Sequence, residues 1–253
     1  MRGSRPTAAG KTDARAMLTE KFLRDRTVSL EPAERATIEG TISEVLTLGA
    51  RHIVVREGER LDRSLLLIDG LMCRYIDNRQ GHRQLVAMQV PGDFVDLHGF
   101  PLTKLDHDVA TLTGATVAVI PHVALDRIVA EQPQLCRKLW FSTLLDAAMH
   151  RAWLFRVGRL DAMGRVAHFL CETEARLRAV GLSNGHRFAL GLTQLDLAEI
   201  CGLTNIHVNR VLRQLREKRI CIFRSSLVEI LDADALARRG EFSSHYLYLA
   251  GGD

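Results

Sequence analysis

The sequence predicts an α+β protein in which an N-terminal antiparallel β-roll is followed by a long helix and a C-terminal winged helix-turn-helix. Between Val45 and Ile120 the apolar runs are short and often β-branched, which is typical of strands. Four glycines separate these runs at steps of 12, 11 and 11 residues: Gly58, Gly70, Gly81 and Gly92. This spacing favours an antiparallel roll or barrel over alternating strands and helices. A helical pattern broken by a glycine, from Thr193 to Arg216, predicts the C-terminal part.

The stretch from Thr193 to Arg216 has the local signals of two helices joined by a tight turn. Thr193 stands three residues before Asp196, which resembles a capping box with Asp in the usual Glu place. Gly202 adopts positive φ at little cost, so it suits a turn between crossed helices. Thr204 is a second N-cap residue. The inner side of the first helix is expected to consist of Leu195, Ala198 and Ile200.

The second helix of this stretch has one apolar and one polar face. Its buried stripe is predicted at a spacing of three to four residues: Val208, Val211, Leu212 and Leu215. The opposite face carries Asn and Arg side chains, which suit base edges and phosphates. The predicted DNA-binding residues are Thr193, Thr204, Asn205, Ile206, His207, Asn209, Arg210 and Arg213.

Positive charge is concentrated around this second helix. From Cys201 to Arg224 there are six Arg or Lys residues and one acid, so the local net charge of +5 exceeds the +4 of the whole chain. This clustering predicts double-stranded DNA as a partner. An ordinary amphipathic hairpin with a solvated basic face is the alternative. The spacing of Ala198, Gly202 and Val208 favours two closely packed, steeply crossed helices instead.

Composition limits the class of protein further. A chain of 253 residues with 47% hydrophobic and 25% charged residues is typical of a globular protein of two domains. No apolar run approaches the roughly 18 residues of a membrane span and no secretory signal is present, so no membrane partner is expected. The five cysteines are widely spaced and lack a C-x-x-C pair. They predict a cytoplasmic protein without disulfides or a metal site.

Changes in composition and periodicity along the sequence divide the chain into four parts. Residues 1–28 are expected to be an N-terminal tail, in which Met1–Ser4 resembles an expression-vector remnant. Residues 29–132 are assigned to the roll, 133–157 to a long dimerisation helix and 158–253 to the winged helix-turn-helix. Gly158 is the expected hinge. In the last part, Ile220–Phe223 and Leu227–Ile230, joined by Ser225 and Ser226, are predicted to form the wing.

The long helix after Pro133 carries two apolar stripes. The main seam has steps of 4, 3, 4 and 3 residues: Phe141, Leu145, Ala148, Ala152 and Phe155. A second stripe lies beside it: Trp140, Leu144 and Leu154. Two stripes predict contact with the chain's own domain and with another surface. Because a helix-turn-helix usually reads DNA as a dimer, a second copy is the predicted partner, and a helix buried within one chain is the alternative.

From about Leu30 to Gly240, the chain resembles the CRP/FNR family of bacterial transcription regulators. The resemblance rests on EGE (57–59), IDG (68–70), VPGDFVDLHG (90–99) and LTQLDLAEICGLTNIHVNRVLRQL (192–215). It implies a jelly-roll-type, cyclic-nucleotide-binding-like roll that senses a signal, and a homodimer that acts on a pseudo-palindromic operator. RNA polymerase and an unidentified small-molecule effector are further partners that the resemblance implies.

The effector residues of the cyclic-nucleotide binders in this family have no counterparts here. Those relatives use a Glu for the ribose hydroxyl and an Arg for the cyclic phosphate, both after the PGD motif. This chain has no Glu between Glu59 and Glu131 and no Arg between Arg83 and Arg127. A phosphate buried without a guanidinium is costly. Binding of cyclic AMP in the familiar way is therefore not expected.

Three other sensor types are considered, although no cofactor is predicted. An iron–sulfur cluster is disfavoured because the first cysteine is Cys73, whereas oxygen-sensing relatives use N-terminal cysteines. His98 lies near the axial histidine of a haem-sensing relative, but Asp96 occupies the place of that relative's cysteine. A structural histidine is the alternative to haem. Cys201 is a candidate redox thiol, with a small buried apolar residue as its alternative.

The recognition helix departs from the family at one position. Relatives of known preference carry Glu and Arg four residues apart, and the Arg reads guanine while the Glu reads a cytosine. Arg210 stands in the place of that Arg, but Ile206 stands where the Glu would be. Arg210 can bond guanine, and Ile206 can pack on a thymine methyl. We predict a half-site that keeps one G·C pair and differs at the pair read by the Glu.

Enzyme classes find no support in the motifs. The sequence has no G-x-S-x-G, H-E-x-x-H, P-loop or G-x-G-x-x-G pattern. Asp93 and Asp96 lie three residues apart in a turn-rich segment, where they are expected to cap and to be solvated. The chain is therefore not expected to be an enzyme. The remaining rival is a ligand-binding module that does not bind DNA, for which any DNA affinity would be weak and independent of salt.

Overall fold

Two antiparallel sheets form the roll in the computed structural model, which describes residues 18–251. One sheet has the strand order β1–β7–β3 and the other β2–β6–β4–β5. The strands are β1 (Glu44–Leu48), β2 (Ile53–Val55), β3 (Arg63–Asp69), β4 (Met72–Asp77), β5 (Arg83–Gln89), β6 (Asp108–Thr111) and β7 (Ala115–Pro121). The predicted antiparallel roll is confirmed.

Glycines mark the turns of the roll, as predicted. Gly70 has φ +88°, and a Cβ atom there would lie 2.2 Å from the carbonyl oxygen of Gly114. Gly92 has φ +98°, and its Cβ would lie 2.4 Å from the carbonyl oxygen of Lys21. Residues other than glycine rarely adopt a positive φ. These two positions also lack the space for a side chain.

Two features of the roll are only weakly indicated by the sequence. Strand β1 has only a weak alternation of half-buried and exposed residues. The apolar stretch at residues 109–120 is two strands, β6 and β7, separated by a bend at residues 112–114. The two strands belong to different sheets. Both are apolar, so the sequence does not show where the chain passes from one sheet to the other.

The helices follow the predicted order, with additional short ones. They are α1 (Pro32–Thr41), α2 (Gly99–Leu102), α3 (His122–Glu131), α4 (Pro133–Arg159), α5 (Ala162–Ala179), α6 (Gln194–Cys201), α7 (Asn205–Glu217) and α8 (Ala233–Gly240), with a 3-10 turn at His245–Leu247. Helix α4 continues through Gly158, so the predicted hinge and the boundary at residue 157 are wrong. The break comes at Leu160, because the Asp161 side chain accepts the Gly164 amide and begins α5.

A small third sheet completes the winged domain, with strand order β8–β10–β9. Its strands are β8 (Arg187–Ala189), β9 (Cys221–Arg224) and β10 (Leu227–Ile230). Ser225 and Ser226 have φ values of 51° and 60°, as a two-residue hairpin turn requires. The predicted wing is therefore present. We call residues 187–230, with α6, α7 and this wing, the reader.

The described part of the predicted N-terminal tail is folded. Phe22 is buried, and its ring lies 5.2 Å edge-to-face from that of Phe94 in the roll. The Thr27 amide donates to the carbonyl of Tyr248 over 2.9 Å. Residues 18–28 therefore lie between the roll and the C-terminal segment, because their apolar side chains complete a core. Met1–Ser4 lie outside the described residues.

The predicted seam on α4 is wrong at its centre. Leu145 and Ala148 are only 5% and 4% exposed. Leu145 and Met149 form an apolar cluster with Ala175 of α5 and Leu247 of the C-terminal segment. Their face of the helix is covered by the same chain, so it is not available to a second copy. Phe141 and Ala152 are half-buried, whereas Phe155 is exposed.

The second stripe of α4 is the one that faces outward. Trp140, Leu144 and Leu154 are 65%, 55% and 75% exposed. With the half-buried Ala147 and the exposed Arg151 they step along the helix by 4, 3, 4 and 3 residues. We call these five residues the outer stripe. Within residues 18–251, no helix is long and apolar enough to cross a membrane.

Candidate nucleic-acid interface

Both helices of the reader begin at the predicted capping residues. The Thr193 hydroxyl accepts the Asp196 amide over 3.2 Å, and the Asp196 carboxylate accepts the Thr193 amide over 2.6 Å. Gly202 ends α6 with φ +60°. The Thr204 hydroxyl accepts the His207 amide over 3.3 Å and begins α7. These caps fix both ends of the turn between the two helices.

The core of the reader differs from the prediction at two leucines. Val208, Val211 and Leu215 of α7 are buried as expected, but Leu212 is only half-buried. Leu195 was expected on the inner side of α6 and is instead 57% exposed. The buried residues of α6 are Asp196, Leu197, Ala198, Ile200 and Cys201. On so short a helix, the inner face begins one residue after the one chosen from the sequence.

An open groove of about 1060 Å³ lies between α7, the wing and the first turn of α6. Its apolar lining residues are Leu192, Ile206, Leu212, Ile222 and Phe223, and its polar lining residues are Thr193, Gln194, Asn209, Arg210, Arg213, Arg216, Arg224, Ser225 and Ser226. Four of these side chains are arginines and none of the lining residues is acidic. We call it the basic groove. Its charge and concave shape suit a polyanion.

Five of the eight predicted DNA-binding residues line the basic groove: Thr193, Ile206, Asn209, Arg210 and Arg213. Thr204, Asn205 and His207 are exposed at the first turn of α7, outside the groove. Nδ1 of His207 lies 3.1 Å from the Thr204 hydroxyl, and Asn209 donates to the carbonyl of Asn205 over 3.0 Å. These contacts hold the side chains at the start of the helix.

The wing adds groove residues that were not predicted. Arg224, Ser225 and Ser226 lie at its tip, and Gln194 lies beside Thr193. The sequence offered one signal for these residues, the basic Arg224 immediately before the two-residue turn. Only the tertiary structure shows that the wing tip turns toward α7.

A second candidate site, around His98, is a narrow cleft between the roll and α4. His98, Arg74 and Asp146 line it around a cavity of about 40 Å³. The His98 ring lies 5.3 Å from that of His107. Burial, with a smaller contribution from the Arg74 cation, lowers the pKa of His98 to about 3. Across residues 18–251, no three His, Cys, Asp or Glu side chains converge as a metal site requires.

The acids of the PGD segment have structural partners. Asp93 accepts the Val90 amide over 2.8 Å and a 2.6 Å bond from Arg176. Asp96 accepts the Leu65 amide over 2.7 Å. Asp93 therefore caps its turn as predicted, whereas Asp96 bonds to strand β3 and is buried, not solvated. Burial raises the pKa of Asp96 to about 7.

The cysteines are poor candidates for redox chemistry. Burial raises the pKa of Cys201 to about 11, and that of Cys73, Cys171 and Cys221 to about 12. A thiol is nucleophilic only as the thiolate, so these four are unreactive at neutral pH. Cys201 is fully enclosed in the reader core, as a small apolar residue would be.

The roll, the long helix and the basic groove define a winged helix-turn-helix DNA-binding regulator. Two family models match the chain, the Cyclic nucleotide-binding domain over residues 45–132 and the Crp-like helix-turn-helix domain over residues 164–239. The nitrogen fixation regulation protein FixK of Bradyrhizobium diazoefficiens is 31% identical over 176 residues, which are 68% of this chain and 72% of the relative. The chain belongs to the CRP/FNR family of transcription regulators, which are not enzymes.

Another relative is also a transcriptional activator, and two solved structures have the same fold. The transcriptional activator protein FnrL of Cereibacter sphaeroides is 29% identical over 188 residues, 72% of this chain and 74% of the relative. The structure of FixK2 from Bradyrhizobium japonicum has the same fold, with a TM-score of 0.72 at 23% identity over 79% of this chain and 98% of that one. The regulator TTHA1359 from Thermus thermophilus has a TM-score of 0.61 at 17% identity, over 79% and 99% of the two chains.

Proposed function

We propose that the protein is a homodimeric, sequence-specific transcription regulator that acts on a pseudo-palindromic operator in the bacterial cytoplasm. The observation that supports this most is the basic groove, in which four arginines and no acids surround the exposed face of α7. An exposed helix of this kind fits the major groove of B-DNA, and the wing fits the adjoining backbone.

Base reading is assigned to the middle of α7. Arg210 is exposed and free to make a bidentate contact with guanine O6 and N7. Ile206, 74% exposed, offers an apolar surface to a thymine methyl. Asn209 suits adenine, although it must exchange its bond to the Asn205 carbonyl for the base. Arg213, Arg216 and Arg224 also line the groove, and we assign them to phosphate contacts.

Dimerisation is assigned to the outer stripe. Its heptad-like steps and exposed apolar side chains suit a parallel pair of α4 helices. Arg151 interrupts the stripe, and a polar residue in such a seam fixes register at a cost in stability. A two-fold axis along the stripe would place the two α7 helices on half-sites about 34 Å apart. RNA polymerase is the further partner that we propose.

The effector site is assigned to the cleft between the roll and α4. Its charged lining includes Arg26, Arg74, Asp93 and Asp146. The cavity of about 40 Å³ has room for only a few water molecules, whereas ligands of nucleotide size need several hundred Å³. The buried Arg74 is held by Asp146 and by the Val95 carbonyl, so it is not free for a phosphate. We therefore propose an effector other than cyclic AMP.

Calorimetric titration with cyclic AMP and cyclic GMP tests this assignment, and micromolar binding of either would overturn it. Haem ligation through His98 stays a prediction, since a macrocycle would have to open the cleft. Reconstitution with haem, followed by a search for a Soret band, tests it.

Systematic selection of bound duplexes, followed by affinity measurements from 50 to 300 mM salt, tests the proposed function. We expect a two-fold-symmetric consensus and a dissociation constant that rises steeply with salt, because several arginines displace counterions. A matched control is a variant in which Arg210, Arg213 and Arg216 are all replaced by Gln. Weak, salt-independent binding by the wild type would favour the ligand-binding module that does not act on DNA.

A further inference from the structure

Three separate parts of the roll contact the reader. Arg51, in the turn after β1, bonds to Asp196 in the first turn of α6. Gln84 of β5 donates to the carbonyl of Glu199 in the last turn of α6 over 2.6 Å. Thr113, in the bend before β7, packs against Gly191, which lies between β8 and α6; a Cβ on Gly191 would be 2.5 Å from the Thr113 methyl group. Helix α6 is therefore held against the roll along its whole length.

An apolar core continues across the same contact. Tyr75 and Leu85 of the roll belong to one buried cluster with Leu197 and Ile200 of α6. The reader is thus a docked domain, and its first helix shares a core with the roll. Any displacement of α6 exposes part of this apolar surface and breaks the bonds of Arg51 and Gln84.

The bond between Arg51 and Asp196 is a fork-to-fork ion pair. Both terminal guanidinium nitrogens donate to the carboxylate, Nη1 to Oδ1 and Nη2 to Oδ2, the latter over 2.6 Å. The same Oδ2 accepts the amide and the hydroxyl of Thr193 over 2.6 and 2.7 Å. Burial opposes the ionised carboxyl, but the bonds from Arg51 and Thr193 outweigh burial and hold the pKa of Asp196 below its usual value.

This pair lies directly behind the wall of the basic groove. Thr193, which Asp196 caps, and its neighbour Gln194 form the α6 side of that groove. The Asp196 side chain is 4% exposed, whereas that of Arg51 is 46% exposed. If the ionised Asp196 carboxylate were unpaired, it would repel a DNA phosphate. It would also offset the partial positive charge at the N-terminus of α6. Arg51 neutralises the carboxylate and leaves part of its own cation in solvent.

We propose that Arg51 of the roll is a positioning residue for DNA binding: it neutralises Asp196 at the DNA-facing end of α6 and holds the reader on the roll. The inference rests on the proposed function and adds a residue from outside the reader to the DNA-binding surface. The ion pair also couples the roll to the reader, because a shift of the turn after β1 would leave the Asp196 carboxylate without its cation.

The test compares Arg51→Ala, Asp196→Asn and the double variant by fluorescence anisotropy on the selected operator and on a scrambled duplex. We expect Arg51→Ala to weaken both duplexes about three- to tenfold at 100 mM salt and to reduce the salt slope by about one. Asp196→Asn keeps a capping oxygen and loses the charge, so it binds at least as tightly as the wild type. The double variant should bind at least threefold more tightly than Arg51→Ala, because it has no unpaired carboxylate at position 196.

Two controls separate charge from folding. Arg56→Ala makes the same change in net charge on an exposed residue of the roll that has no bond to the reader, and it should leave affinity within twofold. Gln84→Ala loosens the same contact without a change in charge, and it should leave the salt slope unchanged. Thermal midpoints identify any variant that fails to fold, for which Arg51→Lys is the substitute, with a loss smaller than that of Arg51→Ala.

Two results would overturn the inference: an Arg51→Ala variant that binds as the wild type does, or a double variant no better than Arg51→Ala. If the wild type itself shows no salt-dependent binding to any duplex, the proposed function fails. If the wild type binds and Arg51→Ala matches it, only the role of Arg51 fails.

Discussion

The guanidinium of Arg74 in the roll lies against the carboxylate of Asp146 in the middle of α4. Arg74 is 3% exposed and Asp146 21%. Nε of Arg74 also donates to the carbonyl of Val95 over 2.7 Å, so the cation has partners on both sides. Burial opposes the ionised form of Asp146, but Arg74 outweighs it and lowers the pKa of that carboxyl. The roll and the long helix are therefore joined by a mostly buried ion pair.

The first prediction concerns this pair. Asp146→Asn leaves the buried Arg74 cation without a carboxylate, so we expect the free energy of unfolding to fall by about 3 kcal/mol. Urea denaturation measures it. The control is Asp77→Asn, whose partner Arg83 is exposed; that change should cost less than about 1 kcal/mol. Equal losses in the two variants would contradict a special role for the buried pair.

The second prediction separates the two stripes of α4. Leu154→Glu, on the outer stripe, should give folded monomers with reduced operator affinity, because two such charges would meet at the two-fold axis. Leu145→Glu, on the covered face, should instead lower the thermal midpoint, because it buries a charge in the core. Sedimentation velocity and thermal denaturation distinguish these results. Val123→Glu, at another exposed apolar residue, on α3, is the control. A dimeric Leu154→Glu variant would show that another surface joins the copies.

The third prediction concerns the residues of α7 that contact DNA. Arg210→Ala should cost about 1–3 kcal/mol of binding and relax one G·C position in the selected sites. Arg213→Ala should weaken all sequences alike, as the loss of a phosphate contact does. Site selection with the wild type and both variants measures these effects. An unchanged G·C preference in the Arg210 variant would assign base reading to another residue.

The fourth prediction uses the pKa of Asp96, which burial raises to about 7. The folded chain keeps a proton that the unfolded chain releases between about pH 4 and pH 7, so this group lowers the free energy of unfolding as pH rises through that window. Asp96→Asn removes the effect. The free energy of unfolding of the variant should therefore exceed that of the wild type by an amount that grows with pH, up to about 4 kcal/mol at pH 8.

Comparing the two proteins at each pH isolates Asp96, since the buried histidines of both titrate alike. Burial lowers the pKa of His168, for example, and this acts in the opposite direction. Denaturation curves from pH 4 to 8 provide the measurement. A stability difference that does not change with pH would show that Asp96 ionises normally.

The fifth prediction concerns the thiols. Four of the five cysteines are buried with a raised pKa, and Cys136 is half-buried on α4. We expect a thiol reagent at pH 8 to modify one thiol per native chain and five in denaturant. Cys136→Ser should abolish the native reaction. Rapid modification of Cys201 in the native protein would restore the redox-sensing alternative.

Local chemistry determined much of the fold from the sequence alone. Thr193 and Asp196 are three residues apart, and the capping box depends only on that spacing. Gly202, the two-serine turn of the wing and the turn glycines of the roll are likewise short-range signals, because each specifies its own backbone conformation. The exposed polar face of α7 followed from helical periodicity. These features involve residues that are close in sequence.

Tertiary structure decided which of two equivalent surfaces is covered and which distant residues meet. The stripes containing Leu145 and Leu154 have the same helical steps, and only the arrival of Leu247 and α5 buries the first. Arg51 and Asp196 are 145 residues apart, and nothing local to either residue indicates the pair. The outward direction of Leu195 and the approach of the wing tip to α7 have the same origin. Periodicity specifies the faces of an element, whereas the partner of each face depends on how the whole chain packs.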